Sequence, residues 1–483
     1  MKLRTLFPNL DKIPNPEIKQ IHCDSSLISK GDLFVAIKGT EADGHKFIKH
    51  AILNGAVAVV REKNNQISKK MKTSGVTFID VADTRKTLSG LAARFYDFPS
   101  EKLKVIGITG TNGKTTVSYL VESILEQAGL PTGLIGTIDY KFKHLILPSI
   151  NTTPGPLETQ SFLSKMLKEK IRYCVMEVSS HALSQGRVRD VNFDTAVFTN
   201  LTQDHLDYHH NLKDYFETKA NLFKNLKSNS WAVINNDDLY VRKVSKITAA
   251  KIIRFGLSRS CEIRASNIRP NLSGSEFQVN APKKKFMIKT SLIGRHNVYN
   301  ILAAIAVGFT QELDLDIIRK GIERLYCVPG RLESIHLGQK FQLLVDYAHT
   351  EDALKNVLTS LKEFNRGRLI VVFGCGGERD KTKRPKMGKV VSRLANHFIL
   401  TNDNPRRENP LKIIQDITKG IKTKKYEIIP NRYKAIEKAI SLAKDNDTIL
   451  IAGKGHETYQ ILKDRVLPFD DRKIVRKILR CLK

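Results

Sequence analysis

Lys104-Val105-Ile106-Gly107-Ile108-Thr109-Gly110-Thr111-Asn112-Gly113-Lys114-Thr115-Thr116 reads as a buried strand running into a glycine loop. Beyond the loop, Val117, Leu120, Val121, Ile124, Leu125 and Ala128 recur at i, i+3, i+4, i+7 spacing and mark one face of a helix, which Gly129 and Pro131 stop. Strand, loop and helix in that order aim backbone N–H groups and the positive end of a helix at phosphate oxygens. Lys114 is placed to neutralise phosphate charge and Thr115 to offer a hydroxyl to magnesium. The strict GxxxxGK[ST] spacing is not met, because Ile108 stands where its first glycine belongs and the nearby glycines are Gly107 and Gly110. The placement between a buried strand and an amphipathic helix supplies the context that a bare GK[ST] lacks.

Working outward, short apolar runs at Tyr173–Val178, Thr195–Phe198 and Ala232–Ile234 alternate with helical stretches. That alternation predicts an α/β fold with a largely parallel sheet covered by helices. The style repeats after Pro329-Gly330-Arg331, in the runs Leu343–Asp346, Leu369–Phe373, Phe398–Thr401 and Thr448–Ala452. Phe98-Pro99-Ser100-Glu101-Lys102 reads as a linker before the strand at Lys104. The expectation is three domains: residues 1–100, a central nucleotide-binding domain over 101–328, and a Rossmann-like domain over 329–483. A chain of 483 residues with 41% hydrophobic residues is long enough to bury a core in each.

Composition narrows the classes. Residues Met1–Leu10 hold no apolar stretch long enough for a signal peptide, and runs such as Ala51–Val60 and Val298–Thr310 fall short of a membrane span. A cytoplasmic protein is expected. Cys23, Cys174, Cys261, Cys327, Cys375 and Cys481 stand singly, without a CxxC pair, which suits a reducing compartment. The net charge of +31 invites a nucleic-acid reading, but the lysines are spread along the chain and no aromatic-basic module accompanies them. No nucleic-acid partner is expected; a positive field also gathers nucleotides and polyanionic small substrates.

Two further clusters follow apolar runs, where ligands collect at the carboxyl ends of parallel strands. They are Met176-Glu177-Val178-Ser179-Ser180-His181 and Thr199-Asn200-Leu201-Thr202-Gln203-Asp204-His205-Leu206-Asp207-Tyr208-His209. Together with the glycine loop, Asn151-Thr152-Thr153-Pro154, GRHNVYN at 294–300, PGRLE at 329–333, DYAH at 346–349, GCGGERDKTKRP at 374–385, DNPR at 403–406 and GKGHE at 453–457, they make the chain resemble the Mur ligases of bacterial cell-wall synthesis over nearly its whole length. DNPR resembles the diaminopimelate-adding type.

The resemblance implies an ATP-dependent amide-bond ligase that adds meso-2,6-diaminopimelate to UDP-N-acetylmuramoyl-L-alanyl-D-glutamate through an acyl phosphate. Lys114, His205 and Lys219 match catalytic positions. Gly110 to Thr116, with Asn297, Asn300, Arg331 and Asp346, match ATP-contacting positions. Thr115, Glu177, His205 and Lys219, the last as a CO2-derived carbamate, match positions serving two magnesium ions. Ser25, Asn151, Thr152, Thr153, Ser179, Gln185 and Arg187 match contacts to the UDP-sugar peptide. Thr40-Glu41 also fall at a diphosphate-contact segment where relatives often carry His-Gln. Arg379, Asp403, Asn404, Pro405, Arg406, Gly453 and Glu457 match the diaminopimelate pocket. Arg406 and Arg379 would grip the second carboxylate that distinguishes diaminopimelate from lysine, and lysine would leave a guanidinium unpaired. The expected enzyme is a monomer working on small molecules. The alternatives are a lysine-adding relative, a folylpolyglutamate synthase-like ligase, or a basic ATPase acting on nucleic acid.

Overall fold

A computed structural model describes residues 1–483 except 11–12, 40–41, 64–74, 207, 283 and 482–483, and the side chains of 241–242. Thr40, Glu41 and Asp207 therefore lie outside the described residues. The chain forms three α/β layers around separate sheets. The amino-terminal sheet is parallel throughout, with Ile21–His22, Leu33–Val35, Ala58–Glu62 and Thr77–Val81 side by side in chain order. Helix Thr84–Phe95 follows, capped by the Asp83 carboxylate, which accepts from the Lys86 amide at 3.0 Å.

The central sheet places Lys104–Thr109 between Tyr173–Glu177 and Thr195–Phe198, all parallel. The three strands read as near-continuous apolar runs because helices cover both faces. One cover is helix Lys114–Gln127, whose Val117, Leu120, Val121, Ile124 and Leu125 are buried; another is Arg295–Thr310, buried almost all round. Register sets Ile108 opposite Glu177 and Thr109 opposite Phe198, so the loops that follow open side by side. Antiparallel strands extend the sheet at both ends, Asp139–Phe142 with Leu145–Pro148 at one and Gly274–Ala281 with Lys284–Thr290 at the other. Those strands were not read from the sequence. Several are polar on one face, the pattern of an antiparallel strand with one side in water.

The third sheet runs Glu333–Ser334, Gln342–Asp346, Thr448–Ala452, Leu369–Phe373, His397–Leu400, Tyr426–Ile428, parallel except for its first pair. The four apolar runs expected after Pro329 are four of its strands. The stretch 98–102, read as a linker, is ordered: Pro99–Glu101 is a tight turn with Pro99 and Ser100 buried, and the Ser100 hydroxyl accepts from the Asn192 amide at 3.0 Å.

Candidate active site

The loop Gly110–Thr116 takes its shape from two glycines in the left-handed region, Gly110 at φ 144° and Gly113 at φ 88°. A Cβ at Gly110 would stand 1.9 Å from Thr199 Oγ1, and one at Gly113 2.3 Å from Asn300 Oδ1. The neighbouring loop fastens it: the Asn112 amide donates to Asn200 Oδ1 at 2.9 Å, and the Asn112 carbonyl accepts from Thr199 Oγ1 at 2.6 Å and Asn200 Nδ2 at 3.1 Å. Lys114 Nζ donates to the Gly110 and Thr111 carbonyls at 3.0 and 2.9 Å. Lys219 Nζ, from helix Leu212–Lys224, donates to the same Gly110 carbonyl at 2.9 Å and lies over the Tyr215 ring.

Two amines on one carbonyl repel when both are charged. Burial holds the Lys219 amine well below the usual lysine range, the neighbouring Lys114 adds to the depression, and Asp204 opposes it. Burial also lowers Lys114, against the attraction of Glu177 and Asp204. Of the two amines, Lys219 is the one whose charge burial and its neighbour both disfavour.

Thr115 Oγ1 donates to Glu177 Oε2 at 3.1 Å and accepts from Arg331 Nη2 at 3.0 Å. Glu177 is fully buried, and Thr137 fixes both its oxygens through N–H at 2.8 Å and Oγ1 at 2.9 Å. Hard oxygen donors of this kind suit magnesium. His205 sits in the left-handed region at φ 53°, with Nε2 3.4 Å from Asp204 Oδ2. Burial, with His181, Lys114 and Lys219 nearby, pushes its pKa down to about 3 against the pull of Asp204. Its side chain keeps 41% of its surface open, so solvent moderates that depression, and the ring still favours the neutral, ligating form. Among the described residues no group of three or more His, Cys, Asp and Glu could hold a metal. Thr115 and Glu177 fit one ion completed by phosphate oxygens, and His205, beside the Asp204 carboxylate, is available to a second.

Asn297, Asn300, Arg331 and Asp346 line one cavity of about 460 Å³ with Asn112, Gly113 and Thr116. Asn300 Nδ2 donates to Asn297 Oδ1 at 2.9 Å, and the Asp346 carboxylate accepts from the Leu332 and Ala348 amides, both at 2.7 Å. The cavity also has walls that the sequence did not reveal: Tyr347, over whose ring the Arg331 guanidinium lies at 4.6 Å, and Asp352, which crosses from the third domain to the loop. Tyr347 lies inside the quoted DYAH segment without having been selected from it, and Asp352 stands three residues beyond, where nothing in the spacing singles it out.

Most of the positions matched to the UDP-sugar peptide form a connected set. Thr153 Oγ1 donates to the Glu177 carbonyl at 2.7 Å and accepts from the Ser179 amide at 3.0 Å. Arg187 donates to the Thr153 carbonyl at 2.8 Å and to Gln185 Oε1 at 2.7 Å, and Thr152 Oγ1 lies 3.1 Å from Thr137 Oγ1. The Asn151 carbonyl accepts from Tyr140 and Ser149 hydroxyls. Ser25 stands apart in the amino-terminal layer, bonded to His50 Nδ1 at 3.0 Å and, through its carbonyl, to Asn54 Nδ2 at 2.8 Å.

In the third domain, Asn404 organises the remaining set. Its Nδ2 donates to Glu457 Oε2 at 2.8 Å, and its Oδ1 accepts from Lys454 Nζ at 3.1 Å and the Ile461 amide at 3.0 Å. Lys454, fully buried and bonded to Glu457 Oε2 at 2.7 Å, was quoted in its motif but not selected as a site residue. Burial raises the Glu457 pKa, with Lys454 opposing. Burial would raise Asp403 too, but Lys454 and Arg432 outweigh it and the carboxyl ends below its usual value. Gly453, at φ 114°, leaves room for Asp403 Oδ2, which a Cβ would approach to 2.6 Å. Arg406 Nη1 donates to the Gly377 carbonyl at 2.8 Å, and the Pro405 carbonyl would be 2.0 Å from a Cβ on Gly377. Arg379 is exposed; a Cβ on Gly376 would reach Arg406 Nη1 at 3.1 Å and Arg379 Cγ at 3.9 Å, so the two guanidinium chains flank one glycine.

Three family descriptions match the chain: the Mur ligase family catalytic domain over residues 17–96, the Mur ligase middle domain over 108–308, and the Mur ligase glutamate ligase domain over 330–455. The chain is 44% identical over 482 residues, 99% of its length and 98% of the relative's, to the UDP-N-acetylmuramoyl-L-alanyl-D-glutamate–2,6-diaminopimelate ligase of Clostridium botulinum. It is 46% identical over 464 residues, 94% of this chain and 93% of the relative, to the ligase of the same name from Listeria monocytogenes. A solved structure of a ligase of that name superposes with a TM-score of 0.71 at 31% identity, covering 100% of this chain and 99% of that one.

Proposed function

This chain belongs to the Mur ligase family, and on that premise we propose that it joins meso-2,6-diaminopimelate to UDP-N-acetylmuramoyl-L-alanyl-D-glutamate with cleavage of ATP to ADP and phosphate. The observation that carries the substrate is the near-full-length likeness to diaminopimelate ligases, in a chain whose Arg406 has Nε and Nη2 without a partner among the described residues. Those two nitrogens form the edge that receives a carboxylate in parallel bonds.

In the first step the terminal carboxylate of the UDP-muramyl dipeptide attacks the γ-phosphorus of ATP, and ADP leaves. Both reactants are anionic, so Lys114, the amides of Gly110–Thr116 and Arg331 act by offsetting charge on the transferring phosphoryl group. Thr115 and Glu177 would hold magnesium, with His205 available to a second ion, and the metal would supply further positive charge to the phosphoryl group. In the second step the free amine of diaminopimelate attacks the acyl carbon and phosphate departs. Arg406, with Arg379, holds the far carboxylate; Asp403, Asn404 and Glu457, with Gly453 leaving room, position the amino-acid end. Asn151, Thr152, Thr153, Ser179, Gln185 and Arg187 hold the peptide nucleotide, with Ser25 toward the uridine, and Asn297, Asn300 and Asp346 line the nucleotide cavity.

Lys219 completes the reading. Its neutral amine adds to CO2, forming an N–C bond and losing a proton, and the resulting carbamate is an anionic oxygen donor facing His205. What supports this is the low proton affinity of a buried amine that shares a carbonyl with Lys114. Among the described residues no helix is long and apolar enough to cross a membrane. The test is phosphate release with the UDP-muramyl dipeptide and, in turn, meso-diaminopimelate, L-lysine and glutamate. Diaminopimelate should dominate; equal rates with lysine would refute the substrate assignment, and glutamate as the best acceptor would turn it toward a folylpolyglutamate synthase-like ligase.

A further inference from the structure

Asp352 lies in the first turn of helix Glu351–Phe364, in the third domain, yet its main bonds are to the second. Its Oδ2 accepts from Asn112 Nδ2, in the phosphate loop, at 3.0 Å and from Thr202 Oγ1 at 3.2 Å. Asn356 Nδ2, one turn along the same helix, donates to that oxygen at 3.1 Å and holds it in place. Thr202 and Asn112 are themselves 3.5 Å apart, so one carboxylate oxygen ties two loops to a third element. Beside it, Lys386 Nζ, from helix Lys383–Leu394, donates to Gln203 Oε1 at 3.0 Å. The loop Thr199–His209 carries His205, and the phosphate loop carries Lys114 and Thr115. A carboxylate is an unexpected wall for a cavity meant to hold a triphosphate, since it repels the ligand. The bonds it accepts from Asn112, Thr202 and Asn356 give it a role other than that of its charge.

We propose that Asp352 is a positioning residue: as a hydrogen-bond acceptor it latches the amino-acid-binding domain onto the phosphate loop and the Thr199–His209 loop, so that docking of the third domain sets the geometry for phosphoryl transfer. This deepens the ligase reading and rests on it. The latch acts through Asn112 and Thr202 and touches no reacting atom. Loss of the acceptor therefore slows turnover more than it weakens nucleotide binding. Asparagine presents an oxygen to the same donors, so it preserves the latch while removing the charge.

The experiment compares the full-length protein with Asp352→Ala, Asp352→Asn and Thr202→Val. For each, kcat and the KM for ATP and diaminopimelate are measured by phosphate release. Small-angle scattering with a non-hydrolysable ATP analogue reports domain docking without turnover. Asp352→Ala should lower kcat about ten- to hundredfold, the range for losing buried bonds to a charged acceptor, with the KM for ATP moved less than about threefold and a wider scattering envelope. Asp352→Asn should restore kcat to within about threefold of the parent. Thr202→Val, which removes one donor from the other side, should show a smaller loss of the same kind and covers the case of an Ala variant that does not fold. An Asn variant as slow as Ala would overturn the latch in favour of a role for the charge, and an Ala or Val variant with parental kcat and envelope would overturn it outright. If the parent itself releases no phosphate with the muramyl substrate, the ligase reading fails, and the scattering comparison still decides the latch.

Discussion

Replacing Arg406 with alanine isolates the choice of amino acid. The guanidinium commits only Nη1 to the protein, to the Gly377 carbonyl at 2.8 Å and, more weakly, to the Asn404 carbonyl at 3.5 Å. Nε and Nη2 are left for the ligand. A charge-assisted bond contributes about 1.5–3 kcal/mol where water is excluded. Arg406 is half-buried, so the pair is discounted for screening to about 2–4 kcal/mol in total. At about 1.4 kcal/mol per tenfold, kcat/KM for diaminopimelate should fall about 30- to 700-fold. The backbone does not confound the result. Arg406 holds φ 53°, a conformation that alanine strains no more than arginine does, and its amide and carbonyl remain bonded to Ile461 O at 3.1 Å and Lys463 N at 2.8 Å. The assay is phosphate release at saturating ATP and UDP-muramyl dipeptide with diaminopimelate varied, repeated with ATP varied. Arg406→Lys, which keeps charge and loses the planar fork, should fall between parent and alanine. A KM for ATP rising by the same factor, or a melting temperature that falls in parallel, would refute the reasoning and make Arg406 a folding residue.

Lys219→Ala should nearly abolish turnover, with short carboxylates such as formate restoring part of it; a fully active alanine variant removes the carbamate. Gly113→Ala should weaken ATP binding at least about tenfold by calorimetry, because a Cβ would stand 2.3 Å from Asn300 Oδ1 at a left-handed φ of 88°; unchanged affinity would mean that the loop does not hold the triphosphate. Burial pushes His296 and His349 down to about 4. Their unfolded forms take up protons first, near 6.5, so the stability tied to their neutral state is complete above that pH and is lost as pH falls toward 4. Each contributes a loss of at most about 1.4 kcal/mol per pH unit in that window. Scanning calorimetry should show the melting temperature dropping between pH 7 and pH 5, with His296→Gln flattening the slope; a level profile would contradict the buried neutral rings.

The central sheet and the phosphate loop were legible because their signals are local. Buried parallel strands read as unbroken apolar runs, and Gly110 and Gly113 announce backbone conformations that other residues avoid. The strands Gly274–Ala281 and Lys284–Thr290 were missed because one face of each is polar, and the lysines of the second imitate a loop. Within the site, motif membership picked out Glu177, Lys219, Arg331 and Asn404, which the fold brings against partners far along the chain. Asp352 and Tyr347 were not legible. The role of Asp352 arises from a contact between domains, with Asn112 more than two hundred residues away on another sheet, for which sequence spacing carries no signal; that of Tyr347 arises within its own domain, where only the fold lays the Arg331 guanidinium over its ring. Lys454 was overlooked for a related reason: a lysine in a glycine-rich turn reads as solvated, and only the packing shows it fully buried against Glu457 and Asn404.

The two buried lysines at the phosphate loop frame one electrostatic problem. Lys114 and Lys219 share the Gly110 carbonyl, and Arg331 reaches Thr115 nearby, against the carboxylates of Glu177 and Asp204. A triphosphate entering this set meets enough positive charge to be held, but a metal ion at His205 would face two amines and no third acidic ligand. The carbamate proposed for Lys219 would address both halves. It would remove the Lys219 charge that Lys114 opposes and would supply an anionic oxygen for a metal beside the imidazole. A carbamate there would carry the charge at the full length of a lysine, farther out than aspartate or glutamate can.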